Sequence, residues 1–227
     1  MKNKTTNTKK KRRIRFDRIF IFLLIIFLII GSFIFLFNIK ISNIFVSNNN
    51  LLKDQTIIEQ ASISNYPSTL KNPSFIIEKR LKENIFIKNV KVYKKWLTQV
   101  YIEVLENEPL FYYEHSGKTI LSDGRQTDLK SSVPTVVNYI TDTYYSEFIY
   151  EMSKLDKNVL NIISEIKFYP NDVDDNRFLL TMNDGNFVYV NISTFEKLNK
   201  YLSIKEGLPN KNGILYLDYG NNFEIIK

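Results

Sequence analysis

An unbroken apolar run, IFIFLLIIFLIIGSFIFLF, fills residues 19–37 without a single charged side chain. As a helix rising about 1.5 Å per residue it spans roughly 28 Å, close to the hydrocarbon thickness of a bilayer, about 30 Å. A cleaved signal peptide has an apolar region of only about 7–15 residues and a small-residue exit. Here the exit reads Phe37-Asn38-Ile39-Lys40. The pattern predicts one uncleaved transmembrane helix.

Beyond it the apolar positions become periodic. Residues 39–48 alternate as a strand. Asp54 is a plausible N-cap for a helix over 55–61, where Ile57, Ile58 and Ala61 share a face. Residues 64–68 (SNYPS) break the chain. Asn72-Pro73 then opens a second helix, with Pro at its first helical position and Phe75, Ile77 and Leu81 partly along one face, ending near Asn84. Two alternating strands follow, 86–93 and 99–106. Val90 and Val92 share one face of the first; Val100, Ile102 and Val104 share one face of the second. The predicted order is β-α-α-β-β.

Glycine marks the next boundary. None occurs between Ser32 and Ser116, which suggests a domain change near residue 115. Asp123-Gly124 and Asp184-Gly185 are hairpin turns. Residues 133–136 read as extended, 144–155 and 157–164 as helices, with Phe148, Met152 and Leu155 on one stripe. Residues 165–170 form a short strand, and 177–192 pair about the second turn. Ser193-x-x-Glu196 reads as a capping box for a helix carrying Leu198 and Leu202. The last fifteen residues give one strand, with a second short strand left open. The fold class is α+β: a transmembrane helix, a β-α-α-β-β unit, then a mixed, largely antiparallel β domain with flanking helices. The expected divisions are a tail at 1–18, the membrane helix at 19–37, and domains at 38–114 and 115–227.

Charge changes the picture of the ends. The formal net charge is +7, yet nine of the 31 Lys/Arg and one of the 24 Asp/Glu lie in residues 1–18. The remainder, with 22 basic and 23 acidic residues, is nearly neutral. A nucleic-acid-binding domain wants a basic face of its own, so nucleic acid is not an expected partner. A basic tail before the helix and only Lys40 just after it place the N-terminus in the cytoplasm and the domains outside. The tail also suits anionic lipid.

Catalytic chemistry has little to work with. There is no Cys and one His, His115, which reads as a solvated loop residue. Asp174-Asp175 reads as a solvated turn, with a weak calcium site as the lesser option. No cofactor, metal or catalytic residue is expected. Trp96 has two readings, a cap on the core of the first domain or a contact for a partner.

The layout resembles the FtsQ/DivIB family of bacterial division proteins: basic tail, single membrane helix, POTRA domain, β domain. The residues that carry the resemblance are Val90 and Val92, Trp96, Val100, Ile102, Val104, Glu106 and Pro109 of the POTRA motif. Beyond it come Leu121–Arg125 (LSDGR), Pro134, Asp184-Gly185, Lys197-Leu198 and the GILYLD strand with Asp218. Leu97 stands where the family often has Pro. The resemblance implies a non-enzymatic scaffold at the division septum that recruits the bitopic FtsB/DivIC-type and FtsL-type proteins and helps regulate septal wall synthesis. A POTRA-bearing chaperone or secretion accessory is the alternative.

Strand addition to an open sheet edge is the binding mode expected of such a scaffold. The expected edge is residues 214–218, with residues 99–106 second. Candidate contacts are Ile214, Leu215, Tyr216, Leu217, Asp218, Tyr219 and Phe223.

Overall fold

The computed structural model describes residues 16–207 and 211–226. The tail expected at 1–18 falls almost wholly outside the described residues. Helix α1 (Phe16–Asn38) leads the chain, and between Ile19 and Phe37 all but two side chains are exposed. An apolar surface of that length and width has no place in water, and it matches the span expected from the sequence.

The first sheet is built from β1 (Asn43–Ser47), β2 (Ile87–Lys95) and β3 (Gln99–Glu106), with α2 (Asp54–Gln60) and α3 (Ser74–Lys82) between β1 and β2. The strand order is β1-β3-β2, parallel at β1–β3 and antiparallel at β2–β3. Strand alternation sends Val90, Val92, Val100, Ile102 and Val104 to one face. There they bury against Ile57 and Ala61 at and just after α2, and Ile77 and Leu81 of α3. Burial of an aliphatic side chain of this size is worth about 1.5–3 kcal/mol. Phe75, expected partly along one face with Ile77 and Leu81, is exposed while those two are buried. Both helix starts shift by one residue: Lys53, not Asp54, is the N-cap of α2, and Pro73 sits at the N-cap of α3.

The second sheet has nine strands in the order β12-β11-β10-β9-β8-β7-β4-β5-β6. These are β4 (Pro109–Tyr113), β5 (Lys118–Leu121), β6 (Gln126–Thr127), β7 (Thr135–Val136), β8 (Ile163–Phe168), β9 (Arg177–Met182), β10 (Phe187–Asn191), β11 (Gly213–Tyr216) and β12 (Asn222–Ile225). It is antiparallel except at β4–β7, β7–β8 and β10–β11. One face is covered by α4 (Asp142–Met152), the short α5 (Lys157–Leu160) and a 3-10 helix (Ile192–Lys200) that runs into α6 (Tyr201–Glu206). Phe148, Phe178 and Phe195 meet at the centre of that core, with ring centres 4.8–5.9 Å apart.

Local differences from the sequence reading have local causes. The helix expected over 157–164 stops at Leu160 because Ile163 already pairs with Met182 in β8. The capping box is Asn191 with Thr194 rather than Ser193 with Glu196: Asn191 Oδ1 accepts the Thr194 N–H, and Thr194 Oγ1 accepts the Asn191 N–H. Pro109–Tyr113, on the first-domain side of the expected boundary, pairs with β5 and β7 in the larger sheet.

Candidate partner-binding surface

The Glu-x-x-Pro end of the POTRA motif is a junction. Glu106 is buried, and its carboxylate accepts the backbone N–H groups of Asn50, Leu51 and Leu52 at 2.7–2.8 Å. It thereby fixes the loop between β1 and α2. Asn107, fully buried, faces both sheets. Its Nδ2 donates to the Ile85 carbonyl (3.0 Å), while its Oδ1 accepts Ser122 Oγ (2.6 Å) and the Asp123 N–H (3.1 Å). Arg125 pairs with Asp123 (2.5 Å) and donates to the Ile87 carbonyl (3.3 Å). LSDGR is therefore the clasp between the domains. Asp123 is held below its ordinary pKa: burial works against ionisation but is outweighed by hydrogen bonds from Asn107, the Arg125 N–H and the Arg125 side chain.

The edges differ from expectation. Strand β3, the second-choice edge, is central, flanked by β1 and β2. On the outer rim of β2, the Val92 N–H donates to Glu78 and the Val90 N–H to Asn89 Oδ1. Strand β11 is not an edge either, because β12 pairs along its whole length. The sequence left a second short strand open but not its pairing with β11, since NFEI is too short and polar to show a strand period. The Ile226 N–H donates to the Asn212 carbonyl. By antiparallel alternation Asn222 and Glu224 also face β11, so the N–H and C=O groups of Phe223 and Ile225 point to the open side.

The expected contact residues divide into two sets. Leu215, Leu217 and Asp218 are buried. Asp218 accepts Arg177 Nε at 2.6 Å, and the Leu217 carbonyl accepts Lys197 Nζ at 3.1 Å. Ile214 and Tyr216 lie half-buried on the open face, Phe223 is half-buried against the core, and Tyr219 is exposed. Tyr216 stacks on Tyr189, which meets Tyr169, with ring centres 5.5 and 6.0 Å apart. The Arg177 guanidinium lies 3.6 Å from the Tyr189 ring centre and Lys167 5.4 Å from Tyr169. The Tyr216 hydroxyl donates to Glu224 (3.0 Å), which lifts its pKa. Tyr189 and Arg177 were not singled out from sequence, although the alternation Phe187-Val188-Tyr189-Val190 was there to place Tyr189 outward.

A second anchor fixes the start of β11. Asn186 Oδ1 accepts the Gly213 N–H (2.9 Å), and Asn186 Nδ2 donates to Tyr201 (3.1 Å). Tyr201 in turn donates to Asp184, which pairs with Lys205 at 2.7 Å. Burial raises the Tyr201 pKa far above its ordinary value.

The remaining candidates are structural. His115 is an exposed loop residue in a turn. Asp174 is buried and accepts Asn191 Nδ2 (2.9 Å), and Asp175 accepts the Tyr144 hydroxyl (2.5 Å), so the pair is not simply a solvated turn. Among the described residues no group of three or more His, Cys, Asp or Glu converges to hold a metal.

These features define a membrane-anchored protein with a POTRA domain and a β domain outside the membrane. A family model described as "POTRA domain, FtsQ-type" matches residues 39–107. The chain is similar to the cell division protein DivIB of Listeria monocytogenes, 28% identical over 95% of this chain and 84% of that one. It is also similar to DivIB of Bacillus cytotoxicus, 26% identical over 98% and 92%. A solved structure, the major extracytoplasmic domain of DivIB from Geobacillus stearothermophilus, is 25% identical. It covers 46% of this chain and 95% of that one, with a TM-score of 0.39, too low for a fold argument. The resemblance to the FtsQ/DivIB family read from the sequence is borne out.

Proposed function

We propose that the chain is a non-enzymatic scaffold of the cell-division machinery that receives an extended partner segment along β12. The open rim of Phe223 and Ile225, beside the row Tyr216–Tyr189–Tyr169, carries this reading. The DivIB relatives supply the process. FtsB/DivIC-type and FtsL-type bitopic proteins are the proposed partners, and regulation of septal wall synthesis the proposed outcome.

Magnitudes require both parts of the surface. Two N–H and two C=O groups contribute about 0.5–1.5 kcal/mol each, roughly 2–6 kcal/mol in all. Association costs about 4–15 kcal/mol, so backbone pairing alone does not hold a partner. Tyr216, Tyr189, Ile214 and Phe223 provide the apolar and aromatic grips. Strand β11, with Leu215 and the following Leu217 in the core, acts as the rigid backing for β12.

A fluorescent fusion on the cytoplasmic tail tests the cellular role. A mid-cell band at division is expected. Uniform peripheral fluorescence would favour the secretion-accessory alternative.

A further inference from the structure

The turn that carries Trp96 is joined by short hydrogen bonds to the end of the membrane helix. Ser68 Oγ donates to the Phe37 carbonyl (2.6 Å), and the Thr69 N–H to the Ile39 carbonyl (2.9 Å). Thr69 Oγ1 also donates to the Leu97 carbonyl (2.5 Å), and the Ser42 N–H to the Thr98 carbonyl (2.8 Å). Lys94 closes the arrangement from within, its ammonium donating to the carbonyls of Thr69 (2.5 Å) and Asn72 (2.6 Å). The turn therefore lies within a few residues of the point where α1 leaves the hydrocarbon. The headgroup layer beyond that point is about 5–8 Å deep on each side.

What this end of the POTRA domain exposes does not suit water. Trp96 is 86% exposed, Leu97 52%, Tyr66 48% and Leu70 40%. Trp96 (φ +52°), Leu97 (φ +61°) and Tyr66 (φ +49°) all take the left-handed backbone conformation, which disfavours side chains other than glycine. The sequence reading of Trp96 as a core cap is corrected here: the turn holds the indole outside the domain. Charge points the same way. Residues 38–42, 64–72 and 94–98 contain Lys40, Lys71, Lys94 and Lys95 and no Asp or Glu, whereas the exported part as a whole is nearly neutral.

We propose that this tip, with Trp96 and Leu97 at its centre and Tyr66 and Leu70 beside them, docks into the outer headgroup layer of the membrane that α1 spans. Trp and Tyr favour that layer because the ring is apolar while the N–H or O–H finds water. The exposed Lys40, Lys71 and Lys95 meet anionic lipid phosphates, while Lys94 is spent on the Thr69 and Asn72 carbonyls. The domain then has two attachments to the bilayer, the helix and the tip, which together fix its tilt.

Trp96 is the chain's one tryptophan, so the unmodified full-length protein carries its own probe. It is reconstituted into phosphatidylcholine vesicles with and without phosphatidylglycerol. Flotation first establishes that the chain is membrane-borne, which separates failure of the anchor from failure of the tip. Indole emission is then read with lipids brominated near the headgroup or at mid-chain. The expected result is a blue shift and a loss of emission, greater with the shallow bromines and greater again with phosphatidylglycerol present. Emission of a solvated indole, quenched by iodide and untouched by bromolipid, overturns the proposal. So does blue-shifted emission that no bromolipid quenches, which would place Trp96 against protein.

Discussion

The Glu106 carboxylate accepts the Leu51 N–H at 2.7 Å, tying the last residue of the central POTRA strand to the loop that enters α2. Its companions at Asn50 and Leu52 make this a three-donor clamp on one ion. Hydrogen bonds to a charged group are worth about 1.5–3 kcal/mol. Glu106→Ala is therefore expected to speed amide exchange in residues 50–60 roughly 10- to 100-fold, and Glu106→Gln less. Unchanged exchange would show that the loop holds itself.

Asn107 does for the domain junction what Glu106 does within the first domain. Replacing it by Ala leaves the Ser122 hydroxyl and the Ile85 carbonyl without their partner, at a cost of about 1–3 kcal/mol. Spin labels placed on α3 and on β9 are expected to show a broadened distance distribution in Asn107→Ala, with each domain still folded. A distribution as narrow as in the parent chain would refute the clasp.

The rim of β12 separates affinity from folding. Ile225→Pro removes an N–H that faces the open side, a change an edge strand tolerates. It is expected to weaken binding of a DivIC-type partner without loss of thermal stability. Tyr216→Ser is expected to weaken binding by about 1–2 kcal/mol, roughly tenfold. Gly213→Ala is the destructive control, since its Cβ would strike the Glu224 carbonyl and the Phe223 ring and push β12 away. If calorimetry gives Ile225→Pro and Tyr216→Ser the parent affinity, β12 is not the docking rim.

Acid is expected to loosen the β11 anchor. Burial works to raise the Asp184 pKa, but the Lys205 ammonium, the Asn186 N–H and the Tyr201 hydroxyl outweigh it and hold the group below its ordinary 3.8. A carboxylate depressed on folding contributes stability that is fully present above its ordinary pKa and is lost as pH falls through the folded value. Asp184→Asn should thus melt lower than the parent at neutral pH, and the gap should close below about pH 4. A gap as wide at pH 3 as at neutral pH would place the effect elsewhere.

The membrane helix and the β-α-α-β-β order were legible because each rests on a local pattern: nineteen uncharged, almost wholly apolar residues, or valines at every second position. Strand order was not, since it is decided by pairings such as Asn43 with Gln99, 56 residues apart. The contact residues 214–218 were expected together as one edge, whereas alternation along β11 turns Ile214 and Tyr216 outward and sends Leu215, and Leu217 just beyond the strand, into the core. Asn107 gave no signal, because a polar residue between two strands reads as loop. Of the two readings of Trp96 the core cap fails, because the left-handed turn that carries the residue holds it exposed.

The two ends of the nine-stranded sheet are unequal. At one end β6 is a two-residue stub beside the Lys118–Asp128 ion pair; at the other β12 is, among the described residues, the terminal strand with no neighbour beyond it. A guest strand laid on β12 has no matching socket at the far side of a second copy. On the proposed reading the sheet takes one guest and stops, giving a terminating joint rather than the seed of a fibre.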